Sequence, residues 1–322
     1  MNFLKNIIKF LIACTLFLTL PHFSAHAATE DTNLKVTTHN VYFLPQALYP
    51  NWGQMQRADL ISKAPFIENN DVMIFNELFD AKSTAQLKSN LKSSYPHQTP
   101  VLGEEKDKWD ATHGRTSGAK FTNGGVSILS RYPIMRQEQH FYTQGRGADG
   151  MAKKGFVYVK INKNGHPFHI IGTHLQSEIG KRPEGKDAEI RSTQMAEIRQ
   201  FIKEKNIPKN EMVVIGGDLN VIKGSSEYHA MLSQLNVNEP SYIGHNQTWD
   251  TTTNSIAKYN YPDLKPQYLD YILVDKAHAQ PSQWYNNAHR VSSPEWTVSS
   301  WGKTYTYQDY SDHYPVSASN AE

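Results

Sequence analysis

Two polar side chains follow a short apolar run in the middle of the chain, at a spacing that suits chemistry. Residues 213–220 read V-V-I-G-G-D-L-N, and the β-branched run predicts a strand buried on both faces, followed by a glycine turn. Asp218 and Asn220 alternate with Leu219, so a carboxylate and an amide can face one cavity. This pair favours a metal or phosphate site, although a simple Gly-Asp turn explains the segment alone equally well.

The same arrangement recurs at other predicted strand ends. Asn40, Glu77, His174 and the pair Asp312–His313 all lie just beyond predicted strands. Each is weak evidence alone, because a histidine after a strand is more often structural and an Asp-His pair is commonly a turn. Five such places in one chain favour a shared site, since active sites of layered folds gather at strand ends.

Strands and helices that could position these residues alternate along the chain. Asn164–Gly165 predicts the turn of a hairpin, and there is no repeat or low-complexity tract, so we predict one domain. Hairpins mixed with helices favour an α/β or α+β sandwich over a doubly wound sheet. Helices are predicted at 57–67, 84–91, 188–204 and 227–235, and strands at 34–42, 72–75, 125–130, 155–161, 167–173, 213–215 and 269–274.

The first 27 residues predict a secretory signal peptide. Two lysines flank the apolar run 7–20, and an A-x-A cleavage site follows, so we expect a secreted mature chain of residues 28–322. The run is too short to span a membrane. Lipid attachment at Cys14 is an alternative that ranks lower, because the residues after Cys14 stay apolar.

Composition limits the classes of function. The chain has 33 basic and 31 acidic residues, and cleavage of the signal would remove two lysines and leave no net charge. Proteins that grip nucleic acid usually carry a basic excess, so no specific nucleic-acid partner is predicted. Cys14 is the only cysteine, so the mature chain must rely on its core instead of disulfides.

The motifs that carry the candidate site also carry a family resemblance. They are T-H-N-V-Y (38–42), I-F-N-E (74–77), G-T-H (172–174), G-G-D-L-N (216–220) and S-D-H-Y-P (311–315). In order and spacing they resemble the endonuclease/exonuclease/phosphatase superfamily. Within it, the chain closely resembles the secreted bacterial sphingomyelinases, the group that includes staphylococcal beta-haemolysin. The segments behind this closer likeness are L-Y-P-N-W-G-Q (48–54), the stretch 248–262 and L-D-Y-I (269–272).

The resemblance implies a DNase I-like α/β fold, a four-layer α/β/β/α sandwich with two mixed sheets packed face to face. It also implies Mg²⁺-dependent phosphodiester hydrolysis, with Mn²⁺ or Co²⁺ as substitutes. Mg²⁺ prefers oxygen ligands, so Glu77 and Asn40 are expected to hold the ion, helped by Asp312. Asp218 and Asn220 would place water and phosphate.

Two histidines are expected to handle protons. His313 is the expected general base, since its ordinary pKa of about 6.5 leaves it neutral at neutral pH. Asp270 would orient it through the far ring nitrogen. His174 would protonate or stabilise the leaving group, with Asp149 as a weaker candidate for its partner.

The chain departs from the family at two places. Related toxins often carry a disulfide between loops that here contain Arg146 and Arg182, so these loops are expected to be more mobile. Some relatives carry acidic residues where Thr122 and Asn123 stand and an asparagine where Ala81 stands. If those residues serve an accessory metal site, this chain is expected to lack it.

An aromatic hairpin at about 295–310 points to a lipid substrate. Trp296, Trp301, Tyr305 and Tyr307 are side chains that partition into membrane interfaces, although alternation would let two of them pack on the sheet. The family reading agrees with membrane contact through this hairpin.

We therefore expect a monomeric, secreted haemolysin that touches the membrane peripherally. It would hydrolyse sphingomyelin of the outer leaflet to ceramide and phosphocholine. A secreted nuclease of the same fold and a binding factor without turnover remain the alternatives. Plasmid DNA assayed beside sphingomyelin vesicles would separate the first alternative from a sphingomyelinase.

Overall fold

The computed structural model describes residues 32–116, 120–180 and 183–320. The predicted signal peptide and Arg182 lie outside these residues. The strands are β1 (Val36–Phe43), β2 (Val72–Leu78), β3 (His97–Gln98), β4 (Ala111–His113), β5 (Ser127–Ser130), β6 (Ile134–Phe141), β7 (Gly155–Lys163), β8 (His166–His174), β9 (Met212–Asp218), β10 (Ser241–Gly244), β11 (Asp270–Val274), β12 (Tyr285–Ala288), β13 (Trp296–Ser300), β14 (Lys303–Tyr307) and β15 (Val316–Ser319). The α-helices are α1 (Gln54–Ser62), α2 (Ala81–Asn90), α3 (Gly147–Met151), α4 (Lys186–Glu204), α5 (Ser226–Leu235) and α6 (Ser255–Asn260).

Two mixed sheets form the centre of the molecule. One has seven strands in the order β10-β12-β15-β1-β2-β5-β3, and the other has six in the order β11-β9-β8-β7-β6-β4. The parallel pairs β1–β2 and β8–β9 lie in the middle of their sheets. Their carboxyl ends therefore open at one edge of each sheet.

The two sheets pack face to face through one apolar cluster. Ile74 and Ile128 of the first sheet lie in the same cluster as Ile170 and Val214 of the second. Glycines permit this close approach, since a Cβ on Gly172 would come within 2.9 Å of the Ile74 side chain. The glycine of the G-T-H motif thus serves the packing of the sheets.

Helices cover both outer faces. Apolar side chains of α4 and α5, among them Ile198 and Met231, pack on the six-stranded sheet. The other sheet is covered by α1 and α2, through residues such as Ile61 and Leu87. The four-layer α/β/β/α architecture is therefore confirmed.

Differences from the predicted elements are local. Helix α6 is not among the predicted helices, and it begins where Asn254 accepts hydrogen bonds from the N–H groups of Ile256 and Ala257. Strands β13 and β14 form the predicted hairpin, with Trp301 and Gly302 at its turn. In the described part of the chain, no helix is long and apolar enough to cross a membrane.

Candidate active site

Strands of both sheets bring the predicted site residues together. In the six-stranded sheet, Asp218 is in register with His174 on one side and with Asp270 on the other. From the facing sheet, the Asn40 amide nitrogen donates to Glu77 at 2.9 Å and to Asp218 at 3.1 Å. The strand ends that the sequence indicated therefore share one site.

A buried asparagine connects the two sheets by hydrogen bonds beside this site. The amide oxygen of Asn76, on β2, accepts the backbone N–H of Asp218 at 3.2 Å, and its nitrogen donates to the Thr173 carbonyl at 2.9 Å. Asn76 precedes Glu77, and Thr173 precedes His174. One contact is therefore made to the site residue Asp218 itself, and the other lies one residue before His174.

The amide of Asn40 faces the carboxylates through its nitrogen. Its oxygen accepts the backbone N–H of Tyr42 at 3.1 Å instead. Asn40 therefore bridges the Glu77 and Asp218 carboxylates as a hydrogen-bond donor.

Negative charge is concentrated at the base of the site. Burial, together with the charge of Asp312, raises the pKa of Glu77 to about 7. Burial likewise raises the pKa of Asp312. Both carboxylates resist ionisation, because each is buried and lies near another negative charge. A hard cation would stabilise their ionised forms, since its positive charge offsets the repulsion between the carboxylates and replaces their lost hydration.

Two groups of side chains have the spacing of metal ligands. Glu77, His174 and Asp218 offer donor atoms within 4.8 Å of one another, and so do Asp218, Asp270 and His313. In the second group Asp270 already binds His313, and an oxygen-seeking ion such as Mg²⁺ favours the carboxylates of the first. The residues present therefore fit a hard divalent cation near Glu77.

His313 and Asp270 form a hydrogen-bonded pair. Nδ1 of His313 lies 2.8 Å from the Asp270 carboxylate, and Nε2 lies 3.7 Å from Asp218. Burial lowers the pKa of His313, but the charges of Asp270, Asp218 and Asp312 outweigh it and raise the pKa well above 6.5. The carboxylates around His313 therefore favour its protonated form, and a cation beside them would offset that effect.

His174 lies in a different environment. Its Nε2 is 3.4 Å from the Asp218 carboxylate, and its buried Nδ1 has no hydrogen-bond partner among the described residues. Burial and the charge of Lys154 lower its pKa to about 4. His174 is therefore neutral at neutral pH.

Asp149 is engaged by residues other than His174. Its carboxylate binds the Lys154 ammonium at 3.0 Å and accepts the Ser177 backbone N–H at 2.7 Å. Asp149 therefore does not hydrogen-bond to His174 as expected, because Lys154 and Ser177 occupy its carboxylate oxygens. Lys154, 2% exposed, was missed by sequence reasoning, since nothing in its motif marks it as buried.

Three residues beside the site hold left-handed backbone. Tyr42, Glu77 and Asn220 have φ angles of 51°, 61° and 52°. Such conformations are costly for residues other than glycine and persist where the surroundings impose them, often at functional sites. The Asn220 backbone N–H donates to Asp218 at 3.0 Å, which holds this turn against the strand end.

A fully buried arginine supports the same region. Arg57 donates to the carbonyls of Trp52 at 2.7 Å, Tyr42 at 2.6 Å and Tyr310 at 3.1 Å. These contacts fix the turn after β1 and the segment that leads to Asp312. Sequence reasoning missed Arg57 because a helical arginine usually faces solvent.

The site opens into a cleft of about 970 Å³ with aromatic walls. Trp249, Tyr259, Tyr261 and Trp301 line it. The predicted residues Glu77, His174, Asp218, Asn220, Asp312 and His313 also line this cleft. The arrangement can therefore bind an anionic ester beside a cation, with room for an apolar or cationic group against the walls.

Only one of the four hairpin aromatics faces outward. Trp301 is 67% exposed, whereas Trp296, Tyr305 and Tyr307 are buried. These three pack with Trp52 and other apolar residues. The expectation that all four contact a membrane is therefore wrong for three of them, since the hairpin needs an apolar face to dock on the domain.

The two predicted departures from the family have visible counterparts. Arg146 forms an ion pair with Asp187 of α4, at 2.6 Å. This ion pair connects the loop to α4 without a disulfide. Asn123 donates to Glu104 at 2.7 Å and to the carbonyl of Leu78 at 3.2 Å. An acidic residue therefore does lie beside Asn123, but it comes from the segment that precedes β4.

Comparisons with known proteins agree with this geometry. Residues 37–313 match the model of the Endonuclease/Exonuclease/phosphatase family. Sphingomyelinase C of Listeria ivanovii is 52% identical over 285 residues, which cover 88% of this chain and 85% of that protein. Phospholipase C of Staphylococcus aureus is 52% identical over 294 residues, or 91% of this chain and 89% of that protein.

A solved structure shows the same relationship. The crystal structure of a beta toxin variant from Staphylococcus aureus with bound magnesium ions has a TM-score of 0.88 and 53% identity, and the match covers 89% of this chain and 99% of that one. The fold, the shared site at the strand ends and these matches lead to one conclusion: the chain belongs to the endonuclease/exonuclease/phosphatase family, in the group of sphingomyelinase C proteins.

Proposed function

We propose that this protein hydrolyses sphingomyelin to ceramide and phosphocholine with Mg²⁺ as cofactor. The observation that carries the proposal is the convergence of Glu77, Asp218 and the His313–Asp270 pair at the base of one aromatic cleft. The relatives named sphingomyelinase C support the choice of substrate. Mn²⁺ and Co²⁺ are the proposed substitutes for Mg²⁺.

Glu77 is the carboxylate that we assign to the cation, with Asp312 as a second carboxylate whose charge the ion would offset. Asn40 fixes the Glu77 carboxylate through its amide nitrogen. Bound there, Mg²⁺ would polarise a phosphoryl oxygen and offset the carboxylate charge that surrounds His313. The related beta toxin with bound magnesium ions supports Mg²⁺ as the cation.

His313 takes the role of general base. Asp270 holds its Nδ1, so Nε2 is directed toward the cleft, where it can accept a proton from water. The resulting hydroxide attacks phosphorus, and the bond from phosphorus to the ceramide oxygen breaks. The departing ceramide oxygen takes up a proton from solvent water, and His313 returns its own proton to solvent. Asp218, which contacts both histidines, places the water, and Asn220 lines the phosphate side of the same cleft.

His174 stabilises the leaving side by hydrogen bonding. A histidine whose pKa is about 4 is a poor proton donor in its neutral form, but its ring N–H can donate to an oxygen that gains negative charge. We therefore favour stabilisation over protonation for this residue.

Membrane location and secretion complete the proposal. The exposed Trp301 at the hairpin tip lines the cleft and would contact the outer leaflet that carries the substrate. We propose a secreted, monomeric protein that contacts the membrane peripherally and lyses erythrocytes. Cleavage after residue 27 would leave one catalytic domain, 28–322.

Phosphocholine release from sphingomyelin vesicles, with Mg²⁺ and with EDTA, tests the proposal. We expect release with Mg²⁺, and its loss with EDTA and in the variants Glu77→Ala and His313→Ala. His289→Ala is the matched control, because that histidine binds Ser317 away from the cleft. Near-parental turnover in Glu77→Ala or His313→Ala would refute the roles given.

A parallel assay on plasmid DNA addresses the same chemistry on another phosphodiester. We expect no cleavage, because the formal net charge is only +2 and the cleft walls are aromatic. Cleavage of DNA without phosphocholine release would establish a nuclease instead.

A further inference from the structure

Two large apolar side chains project into solvent side by side, away from the hairpin. Phe121 is 82% exposed and Met151 is 50% exposed. They are held together by their backbones, since the Phe121 N–H donates to the Met151 carbonyl at 2.9 Å and Thr122 forms a β-bridge with Ala152. We call Phe121 and Met151 the 121/151 patch.

The patch borders the same cleft as the hairpin tip. The chain neighbours of its two members, Thr122 and Ala152, both line the cleft, and so does Trp301. The patch and the tip therefore belong to the rim of one opening.

Sheet order puts the patch and the hairpin on different sides of the catalytic residues. The hairpin packs on Tyr42 and Trp52, which lie at and after the end of β1. The segment with Phe121 leads into β5. In the sheet, β2 lies between β1 and β5, and β2 carries Glu77. Exposed apolar side chains therefore flank the cleft on the β1 side and on the β5 side of Glu77.

Single exposed apolar residues are common on soluble proteins and need no explanation. Here a phenylalanine and a methionine are adjacent, are fixed by backbone pairing and stand at the opening of a site that must receive lipid. Lys120 directly precedes Phe121 and is half-buried. This position suits an ammonium group at the level of the lipid phosphates when the Phe121 ring is inserted into the membrane. The small net charge fits a zwitterionic surface better than an acidic one.

We propose that the 121/151 patch is a second membrane-contact point, which docks on a choline-lipid bilayer together with Trp301 so that the cleft lies over the lipid between two anchors. This inference rests on the proposed function, because a membrane-embedded substrate is what requires the cleft to face a bilayer. Two anchors on opposite sides of Glu77 would fix the tilt of the cleft, which a single hairpin cannot do.

The double variant Phe121→Ser/Met151→Ser tests this contact. Binding to vesicles of phosphatidylcholine and sphingomyelin is measured by sedimentation in EDTA, which prevents turnover. We expect binding to weaken about tenfold or more, because two apolar side chains no longer leave water. Turnover of a soluble, monomeric choline phosphodiester with Mg²⁺ should stay within about twofold of the parent, since that substrate needs no interface.

The chain offers a matched control and a conservative variant. Met135, on β6, is 62% exposed and does not line the cleft, so Met135→Ser should leave vesicle binding unchanged. Phe121→Leu keeps an apolar side chain and should retain most of the binding. Equal losses in Met135→Ser and in the double variant would overturn the proposal, because they would reflect general surface hydrophobicity.

Other outcomes separate this inference from the proposed function. Parental vesicle binding by the double variant would overturn the second contact, even where phosphocholine release is established. Weakened binding in a protein that releases no phosphocholine would support the contact while refuting the activity. If sedimentation velocity shows that the patch variant loses self-association instead of vesicle binding, the patch joins two copies of the chain and the membrane assignment is wrong.

Discussion

The amide oxygen of Asn76 accepts the backbone N–H of Asp218 across the interface between the two sheets, at 3.2 Å. Glu77 comes from one sheet, and Asp218 with His174 comes from the other. The separation of these residues is therefore set by how the sheets pack, and Asn76 is a polar contact that fixes this packing next to the site. Its second bond, to the Thr173 carbonyl, acts on the neighbouring strand.

Replacement of Asn76 by alanine should impair catalysis as well as stability. The change leaves the Asp218 N–H and the Thr173 carbonyl without their buried partner, which costs roughly 1–3 kcal/mol for each group. We expect the free energy of unfolding in urea to fall by roughly 2–6 kcal/mol, the sum for the two groups. We also expect phosphocholine release to drop by more than tenfold, because Glu77 and Asp218 lose their fixed spacing.

Asn70→Ala is the matched control for this prediction. Asn70 is equally buried, but it precedes β2 and binds Thr37 and the Phe66 carbonyl, at the opposite end of that strand from Glu77. It should lose stability while kcat of the folded protein is retained. Similar losses of kcat in both variants would mean that Asn76 acts only through general stability.

The rule that active-site residues lie at strand ends located most of the candidate site from sequence. It works for Asn40, Glu77, His174 and Asp218 because short apolar runs ending in polar residues are a local pattern, and parallel central strands end at one edge. Arg57 and Lys154 could not be found this way. Their burial depends on carbonyls and carboxylates that come from distant parts of the chain.

The hairpin shows a second limit of sequence reasoning. In the ribbon, Trp296 is paired with Tyr307 and Val298 with Tyr305, so these side chains share one face. Alternation groups them correctly, but it does not say whether that face meets solvent or the domain. The answer comes from Tyr42 and other distant residues that cover it.

Trp301→Ala and Trp296→Ala should therefore have different effects. Loss of the exposed Trp301 should weaken vesicle binding about tenfold and leave thermal stability and soluble-substrate turnover near parental values. Loss of the buried Trp296 should cost about 3–5 kcal/mol of stability, as measured by denaturant unfolding. Identical behaviour of the two variants would contradict the division of the hairpin into a docked face and an exposed tip.

Asp270→Asn should lower the rate and shift its pH profile. The Asp270 carboxylate helps to raise the pKa of His313 and holds Nδ1. Removing its charge lowers that pKa. The acidic limb of the kcat profile, where protonation of His313 removes the base, should therefore move to lower pH. The maximum should fall by about 10²–10⁴-fold because the ring is no longer held in orientation. A profile that falls in height without moving would argue against the electrostatic part of this role.

Glu138 should make the stability of the fold depend on acid. Its carboxylate is buried, which by itself raises the pKa, but hydrogen bonds from Lys205, Arg136 and His113 outweigh burial and lower the pKa to about 2 from 4.5. The unfolded chain therefore binds a proton at higher pH than the folded chain does. The stabilisation is complete above about pH 4.5 and disappears as the pH falls through about 2.

The variant Glu138→Gln removes this ionisation and tests the predicted direction in which stability changes with pH. At pH 7 the variant should be less stable by about 1–3 kcal/mol, since it keeps the shape but loses the charged acceptor of three donors. Thermal unfolding at decreasing pH should show the gap between variant and parent narrowing below pH 4.5. Glu189→Gln, on the exposed side of α4, should show no such gap, because its exposed carboxylate pairs with Lys186 at the protein surface. A stability difference between parent and Glu138→Gln that widened toward low pH would contradict this prediction. It would mean that Glu138 is protonated at higher pH in the folded chain than in the unfolded chain, whereas the three donors around Glu138 require the reverse.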